Sequence, residues 1–255
     1  SSAENLNLFR YGMKCFFEEG LALARIAHPN VVRVTNFFRA NETVYLVMQY
    51  ERGRTLQDYI LHRKNEIGEI FIRRVFAELL GGLREVHAHK ILHLDIKPSN
   101  IYIRLDGSPL LLDFGAARQT LTQEKSSLSP MYTPGFAAPE QYGHDRDALG
   151  PWTDIYGVGA SLFACLSGFA PQAANLRLEQ DKQESAKKLW SDRYSEHLLE
   201  LIDWCLKLDP LERPQSVFVV QKALLEKGKE PEVRKKISLL HHISNKFIKP
   251  KTGGR

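Results

Sequence analysis

Cysteine is scarce: Cys15, Cys165 and Cys205 are the three in 255 residues, widely separated and odd in number. That excludes the disulfide framework of a small secreted domain, and their spacing offers no zinc site. They read as reduced thiols packed as small apolar side chains, which fits a cytoplasmic location. Long hydrophobic runs are missing too. The longest, Val158 to Leu166, falls far short of the roughly 20 apolar residues that a membrane-spanning helix needs, and no signal-peptide pattern is visible. Charge of one sign is absent from the body of the chain. The stretch from Glu226 to Arg255 holds nine Lys or Arg and three Glu; its +6, against +5 for the whole chain, leaves −1 for residues 1–225. The basic balance therefore belongs to the tail, and no nucleic-acid partner is expected for the body. What the chain does have is apolar content, 43% of 255 residues, enough to build a real core in one large domain or two lobes.

One stretch carries chemistry: His93-Leu94-Asp95-Ile96-Lys97-Pro98-Ser99-Asn100, followed by Leu111-Leu112-Asp113-Phe114-Gly115. A lone pair of Asp and Asn at that spacing would mean little. Here His, Asp, Lys, Pro and Asn stand in order with Asp-Phe-Gly at the right distance, which chance explains poorly. The stretch resembles the catalytic and metal-binding loops of the eukaryotic-type protein kinases, in the form common among bacterial Ser/Thr kinases. Phosphoryl transfer needs a carboxylate beside the attacking hydroxyl and oxygen ligands for the Mg²⁺ ions that neutralise the phosphates. The resemblance implies that Asp95 orients the hydroxyl and accepts its proton, that Asn100 and Asp113 hold the metal, and that Lys97 reaches the γ-phosphate of ATP.

Upstream, Ser1 to Asn7 is small and polar and reads as a linker or loop. Leu8 to Ala27 predicts a helix with Phe16, Leu23 and Ile26 on one stripe. Glu19 falls on that stripe. It is either a solvated charge like Glu18 or, as the resemblance implies, the αC glutamate that pairs with a third-strand lysine. Val31 to Val34 and Val44 to Met48 read as two strands joined by a turn at Ala40 to Thr43. The resemblance makes them the last two strands of the N-lobe. It makes Met48 the gatekeeper, a role compatible with core packing, and Gln49, Tyr50 and Glu51 the hinge that meets adenine. The glycine-rich loop G-x-G-x-x-G and its lysine do not precede them. Before residue 50 the only glycines are Gly12 and Gly20. Lys14 stands on the same helix as Glu19, more than a turn before it. Gly157-Val158-Gly159 lies in a helical context and lacks the third glycine. The simplest expectation is a chain that begins inside the N-lobe, with its first three strands removed, disordered or never present.

Downstream, Ile72, Val75, Phe76, Leu79, Leu83 and Val86 follow helical spacing and predict a long buried helix leading into the catalytic loop. His87, His89 and His93 cluster, but no acidic or Cys ligand stands at metal-like spacing, which points to packing for the first two. The resemblance makes His93 the brace of the Asp-Phe-Gly turn. Asp113 to Glu140 holds Thr120, Thr122, Ser126, Ser127, Ser129 and Tyr132 and ends in Thr133-Pro134-Gly135-Phe136-Ala137-Ala138-Pro139-Glu140. That ending resembles the substrate-binding loop and Ala-Pro-Glu anchor of Ser/Thr kinases. It implies that Thr133 bridges Asp95 and Lys97, and that Glu140 pairs with Arg213. Asp154 matches the residue that holds the catalytic-loop backbone; a plain helix N-terminal charge is the other reading. Leu94 stands where many kinases carry the Arg that receives a phosphate, so ordering of the segment through that residue is not expected. Further helices are predicted around 153–168, 195–207 and 215–227.

These readings combine into an α+β, protein-kinase-like bilobal fold. A truncated β-rich N-lobe spans 1–50, a complete and mainly helical C-lobe 51–226, and a basic extension 227–255. The extension reads as a solvated tail or as an amphipathic partner contact. The function expected is Ser/Thr protein kinase, with ATP and Mg²⁺ as cofactors and protein hydroxyls as substrates, weak or inactive in this chain alone. The alternative is a non-catalytic, pseudokinase-like binding module. Retention of Asp95, Lys97, Asn100 and Asp113 together favours the enzyme.

Overall fold

The structure, a computed structural model, describes residues 13, 20–21, 23–63, 67–113, 132–143, 145 and 147–226. Glu19, Lys14, Cys15, Phe114, Gly115, Thr120, Thr122, Ser126, Ser127, Ser129 and the extension 227–255 lie outside them.

Gly20, Leu21 and Leu23 are helical and the turn follows at Ala24 and Arg25, with Leu23 and Ile26 buried where the apolar stripe ends. The run predicted as a strand from Val31 starts later. Strand β1 spans Val34–Ala40 and pairs antiparallel with β2, Thr43–Met48. Val31 forms only a single parallel bridge, to Leu111. β-branched composition favours extended backbone but does not supply a partner. The turn falls on Asn41 and Glu42, with φ of 49° and 57°, the doubly left-handed two-residue loop that follows strand twist. Across the hairpin Phe38 stacks on Tyr45 at 5.2 Å.

A second sheet, β3 (Gly53–Thr55), β4 (Ile101–Arg104) and β5 (Pro109–Leu111), is antiparallel throughout. Asn30 ties it to the segment before the hairpin: its Nδ2 donates to Pro109 O at 2.8 Å and its carbonyl accepts from Leu111 N at 2.9 Å. Helix α1 (Leu56–His62) follows β3 directly, started by a Thr55 and Asp58 capping box, which satisfies two otherwise orphaned donors.

The helical layer begins with α2 (Glu69–Ala88), whose Ile72, Val75, Phe76, Leu79, Leu83 and Val86 are fully buried. Next come α3 (Pro151–Ser167), α4 (Ala174–Glu179), α5 (Ala186–Trp190), α6 (Glu196–Cys205) and α7 (Val217–Leu225). Ser185, Ser195 and Ser216 cap α5, α6 and α7 through their side chains, a role their short hydroxyls suit. Helix α3 is buried from Thr153 to Leu166, packing on α6 while α2 packs on α7. A helix apolar on all sides belongs at the centre of a core, and this one explains its two glycines. A Cβ on Gly157 would lie 2.8 Å from Ile96 O, and one on Gly159 2.5 Å from Cys205 Cβ. Gly157-Val158-Gly159 thus lets backbone approach backbone and cradles no phosphate. Cys165 and Cys205 are buried, and burial pushes both thiols up, that of Cys205 to about 12. Among the described residues no helix is long and apolar enough to cross a membrane.

The expected Glu140–Arg213 pair is present. Arg213 Nη1 and Nη2 donate to the two Glu140 carboxylate oxygens at 2.7 and 2.9 Å. Its remaining donors reach Lys207 O, Trp152 O and Leu208 O, and its guanidinium lies over Tyr156 at 5.0 Å. The side chain is 0% exposed, so this full set of acceptors is what makes the buried charge tolerable. Glu140→Ala will leave the guanidinium buried and unpaired, and urea denaturation should show a loss of about 3–5 kcal/mol. A loss below about 1 kcal/mol, the range of an exposed pair, would mean that the pair carries no such weight.

Candidate active site

The catalytic-loop stretch is fixed from beneath by one carboxylate. Asp154, in the first turn of α3, accepts from His93 N at 2.9 Å and Leu94 N at 2.7 Å. It also accepts from His87 Nε2 at 2.7 Å, at the end of α2. Its side chain is 0% exposed. Asp154 is therefore more than a helix N-terminal charge, and His87 more than packing: the histidine is the third donor that a buried carboxylate requires. Sequence reasoning missed it because its partner lies 67 residues away.

His93 is fully buried and wired at both nitrogens. Nε2 bonds Leu112 O at 2.8 Å and Nδ1 accepts from Asp95 N at 3.3 Å. Only the neutral, Nε2-protonated ring serves both partners. Burial pushes this imidazole below its ordinary value, outweighing the pull of the Asp154, Asp95 and Asp113 carboxylates. The ring thereby links the residue before Asp113 to the backbone N–H of Asp95.

Above this base the expected chemical groups converge. Asp95 Oδ2 takes Lys97 Nζ at 2.9 Å and Asn100 Nδ2 at 2.9 Å. Lys97 Nζ also donates to Thr133 Oγ1 at 2.7 Å, so the lysine joins the loop to the end of the Asp113 to Glu140 stretch, which the resemblance makes the activation segment. Asn100 sits in the one-turn helix Pro98–Asn100, 6% exposed, and its Nδ2 also donates to Asp95 O at 2.9 Å. Its carbonyl accepts from Leu112 N at 2.9 Å, and its Nδ2 lies 3.5 Å from Asp113 O, which draws the two loops together. Asp113 is exposed, at φ 45°. Leu94 also adopts a left-handed φ, of 63°, a conformation that a side chain with a Cβ holds only when its surroundings impose it.

The residues expected to form the hinge lie at the end of β2. Met48 is 39% exposed, so it does not pack as a core residue; the hairpin covers little of that face. Gln49 N donates to Arg33 O at 2.9 Å, and Glu51 O accepts from Tyr102 Oη at 3.4 Å. Glu51 also pairs with Arg104 at 3.3 Å, while Tyr50 is 83% exposed. The described hydrogen bonds leave the Gln49 carbonyl and the Glu51 N–H unused, an acceptor and a donor two residues apart.

Residues 7–225 match the protein kinase domain family. The chain is 31% identical over 199 residues to serine/threonine-protein kinase STE20 of Candida glabrata, covering 76% of this chain and 21% of that protein. It is 27% identical over 231 residues to serine/threonine-protein kinase B of Synechocystis, covering 82% and 39%. The probable serine/threonine-protein kinase PknB of Lactococcus lactis is 29% identical over 160 residues, covering 61% and 25%. The chain thus spans 21–39% of the length of these relatives. A solved structure described as the apo form of PpkA-294 superposes with a TM-score of 0.78 at 34% identity, covering 86% of this chain and 76% of that one.

The neutral His93 has a consequence for stability. An imidazole held below its ordinary 6.5 in the fold regains that value on unfolding, so the unfolded chain binds the extra proton. Its contribution is complete well above pH 6.5 and is lost as pH falls through and below that value. Unfolding free energy measured in urea from pH 7.5 to 5 should decline, and His93→Gln should flatten the decline. An unchanged slope in the variant would refute the assignment.

Proposed function

As this chain belongs to the protein kinase domain family, we propose that it transfers the γ-phosphate of ATP to serine or threonine hydroxyls of protein substrates. The observation that carries this reading is the bonded set of Asp95, Lys97, Asn100 and Thr133, with Asp113 drawn beside it. Asp95 accepts the hydroxyl proton at its carboxylate. Lys97, shared between Asp95 and Thr133, places a positive charge where the transferred group gathers negative charge. Because Asn100 Nδ2 is committed to Asp95, its Oδ1 is the atom left for a metal, with the exposed Asp113 carboxylate as the other ligand. Two protein oxygens suit Mg²⁺, which takes its remaining ligands from phosphates and water. The ion supplies neutralisation of phosphate charge; holding and orienting are the work of the chain. Adenine would use the Gln49 carbonyl and the Glu51 N–H, with Met48 beside it and Glu19 as the acid partner of a phosphate-pairing lysine. We read residues 1–50 as part of an N-lobe, 51–226 as the C-lobe and 227–255 as an extension open to a partner.

In a version carrying any upstream N-lobe, Asp95→Ala and Asp113→Ala should each keep the fold, by circular dichroism, and lose phosphate transfer to a generic basic protein by about 10²–10⁴-fold. Retained turnover in either folded variant would remove the catalytic assignment.

The second expectation concerns ATP itself. Residues 1–50 contain no glycine-rich loop, and well-oriented groups supply about 7–11 kcal/mol of barrier reduction in such sites. Without that loop to close over the phosphates, this chain alone should bind ATP·Mg²⁺ weakly and turn over slowly, measured by calorimetric titration and long-incubation transfer assays. Micromolar affinity with turnover of about 1–100 s⁻¹, ordinary for kinases, would show that another group, Lys14 first, replaces the missing lysine.

A further inference from the structure

We infer that Gln141 is a positioning residue, tying the Ala-Pro-Glu anchor to the catalytic loop through Leu94; the inference rests on the kinase reading above. Gln141 follows Glu140 in the short helix Pro139–Tyr142 and is 4% exposed. Its Oε1 accepts from Ala138 N at 2.9 Å, and its Nε2 donates to Leu94 O at 2.9 Å. The two partners are an N–H and a C=O, so only a carboxamide serves both. A carboxylate would set an oxygen against Leu94 O, and an apolar side chain would leave both peptide groups buried without partners.

What Gln141 holds is the peptide just before Asp95. Leu94 stands at φ 63°, a left-handed conformation that a residue with a Cβ holds only under constraint. Its N–H is gripped by Asp154 at 2.7 Å and its carbonyl by Gln141. Released at the carbonyl, Leu94 can rotate toward an ordinary φ and carry the Asp95 carboxylate with it. The other end of the tie is firm, because Glu140 is locked to Arg213. Leu94 has no charge with which to read a phosphate on the segment. The tie through Gln141 joins two neutral groups and is made in the unmodified chain. It therefore couples the end of the activation segment to the catalytic loop without phosphorylation.

The test uses the full chain and its Gln141→Glu and Gln141→Met variants, with two readouts. Amide hydrogen exchange should rise about tenfold in the peptide covering residues 91–98 and stay unchanged in α3 and α6. The transfer rate at saturating ATP should fall about 10–100-fold, with KM for ATP little altered, because a small displacement of the base penalises chemistry and not nucleotide binding. If Gln141→Glu does not fold, Gln141→Met, uncharged and of similar length, carries the test. Unchanged exchange at 91–98 overturns the tie, whether or not the chain transfers phosphate. Faster exchange with normal transfer reduces Gln141 to a structural residue and overturns the positioning role. If the unsubstituted chain transfers too little phosphate to follow, as its lack of a glycine-rich loop leads us to expect, the exchange result alone decides the tie.

Discussion

A carboxylate sealed from water must collect its hydrogen bonds from the protein or give up its charge. Asp154 collects three, two from successive peptide N–H groups at His93 and Leu94 and one from His87. That requirement brings three elements to one point: the first turn of α3, the end of α2 and the catalytic loop. The close approach at Gly157 and the left-handed Leu94 follow from it, because the loop must lie flat on α3 to present both N–H groups. The groups that carry chemistry then project from a backbone with little freedom left. The economy is physical: an ion whose desolvation is fully offset by fixed dipoles also fixes those dipoles.

Much of this was legible in the sequence, for identifiable reasons. Ile72 to Val86 announce α2 because a helix buried on one side repeats its apolar residues at 3.6. The convergence of Asp95, Lys97, Asn100 and Asp113 was legible through the resemblance, whose motif sets these residue types at these spacings. Glu140 and Arg213 could be paired in advance only through the resemblance. Other features had no local signal. Helices α1, α4 and α5 are one or two turns long, too short for a period to register. Val31 to Val34 showed strand composition, but where a strand begins depends on which partner lies alongside. His87 and Gln141 act through partners 67 and 47 residues away, and nothing in their own neighbourhoods marks them.

The two sheets differ in how far the chain has covered them. β5 sits against α2, and β3 and β4 against α1, and Ile101, Ile103, Leu110 and Leu111 are buried. The hairpin of β1 and β2 shows Phe38, Tyr45, Val47 and Met48 at 39–44% exposure. Hairpins of two strands gain little stability by themselves, so this one depends on its link through Asn30 and Val32 to β5. Residues 49–51 lie directly after it, so the placement of the proposed hinge backbone inherits that dependence.

The Glu140–Arg213 pair spans 73 residues of chain, and that separation has a meaning in time. A ribosome adding about 5–20 residues per second makes the arginine several seconds after the glutamate. Until then the carboxylate has no counter-charge, and burying it early would be opposed by its own desolvation. The anchor, and with it the far end of the Gln141 tie to Leu94, thus cannot set until the chain has been made through Arg213. A growing chain carries its chemical groups for some time before it can aim them.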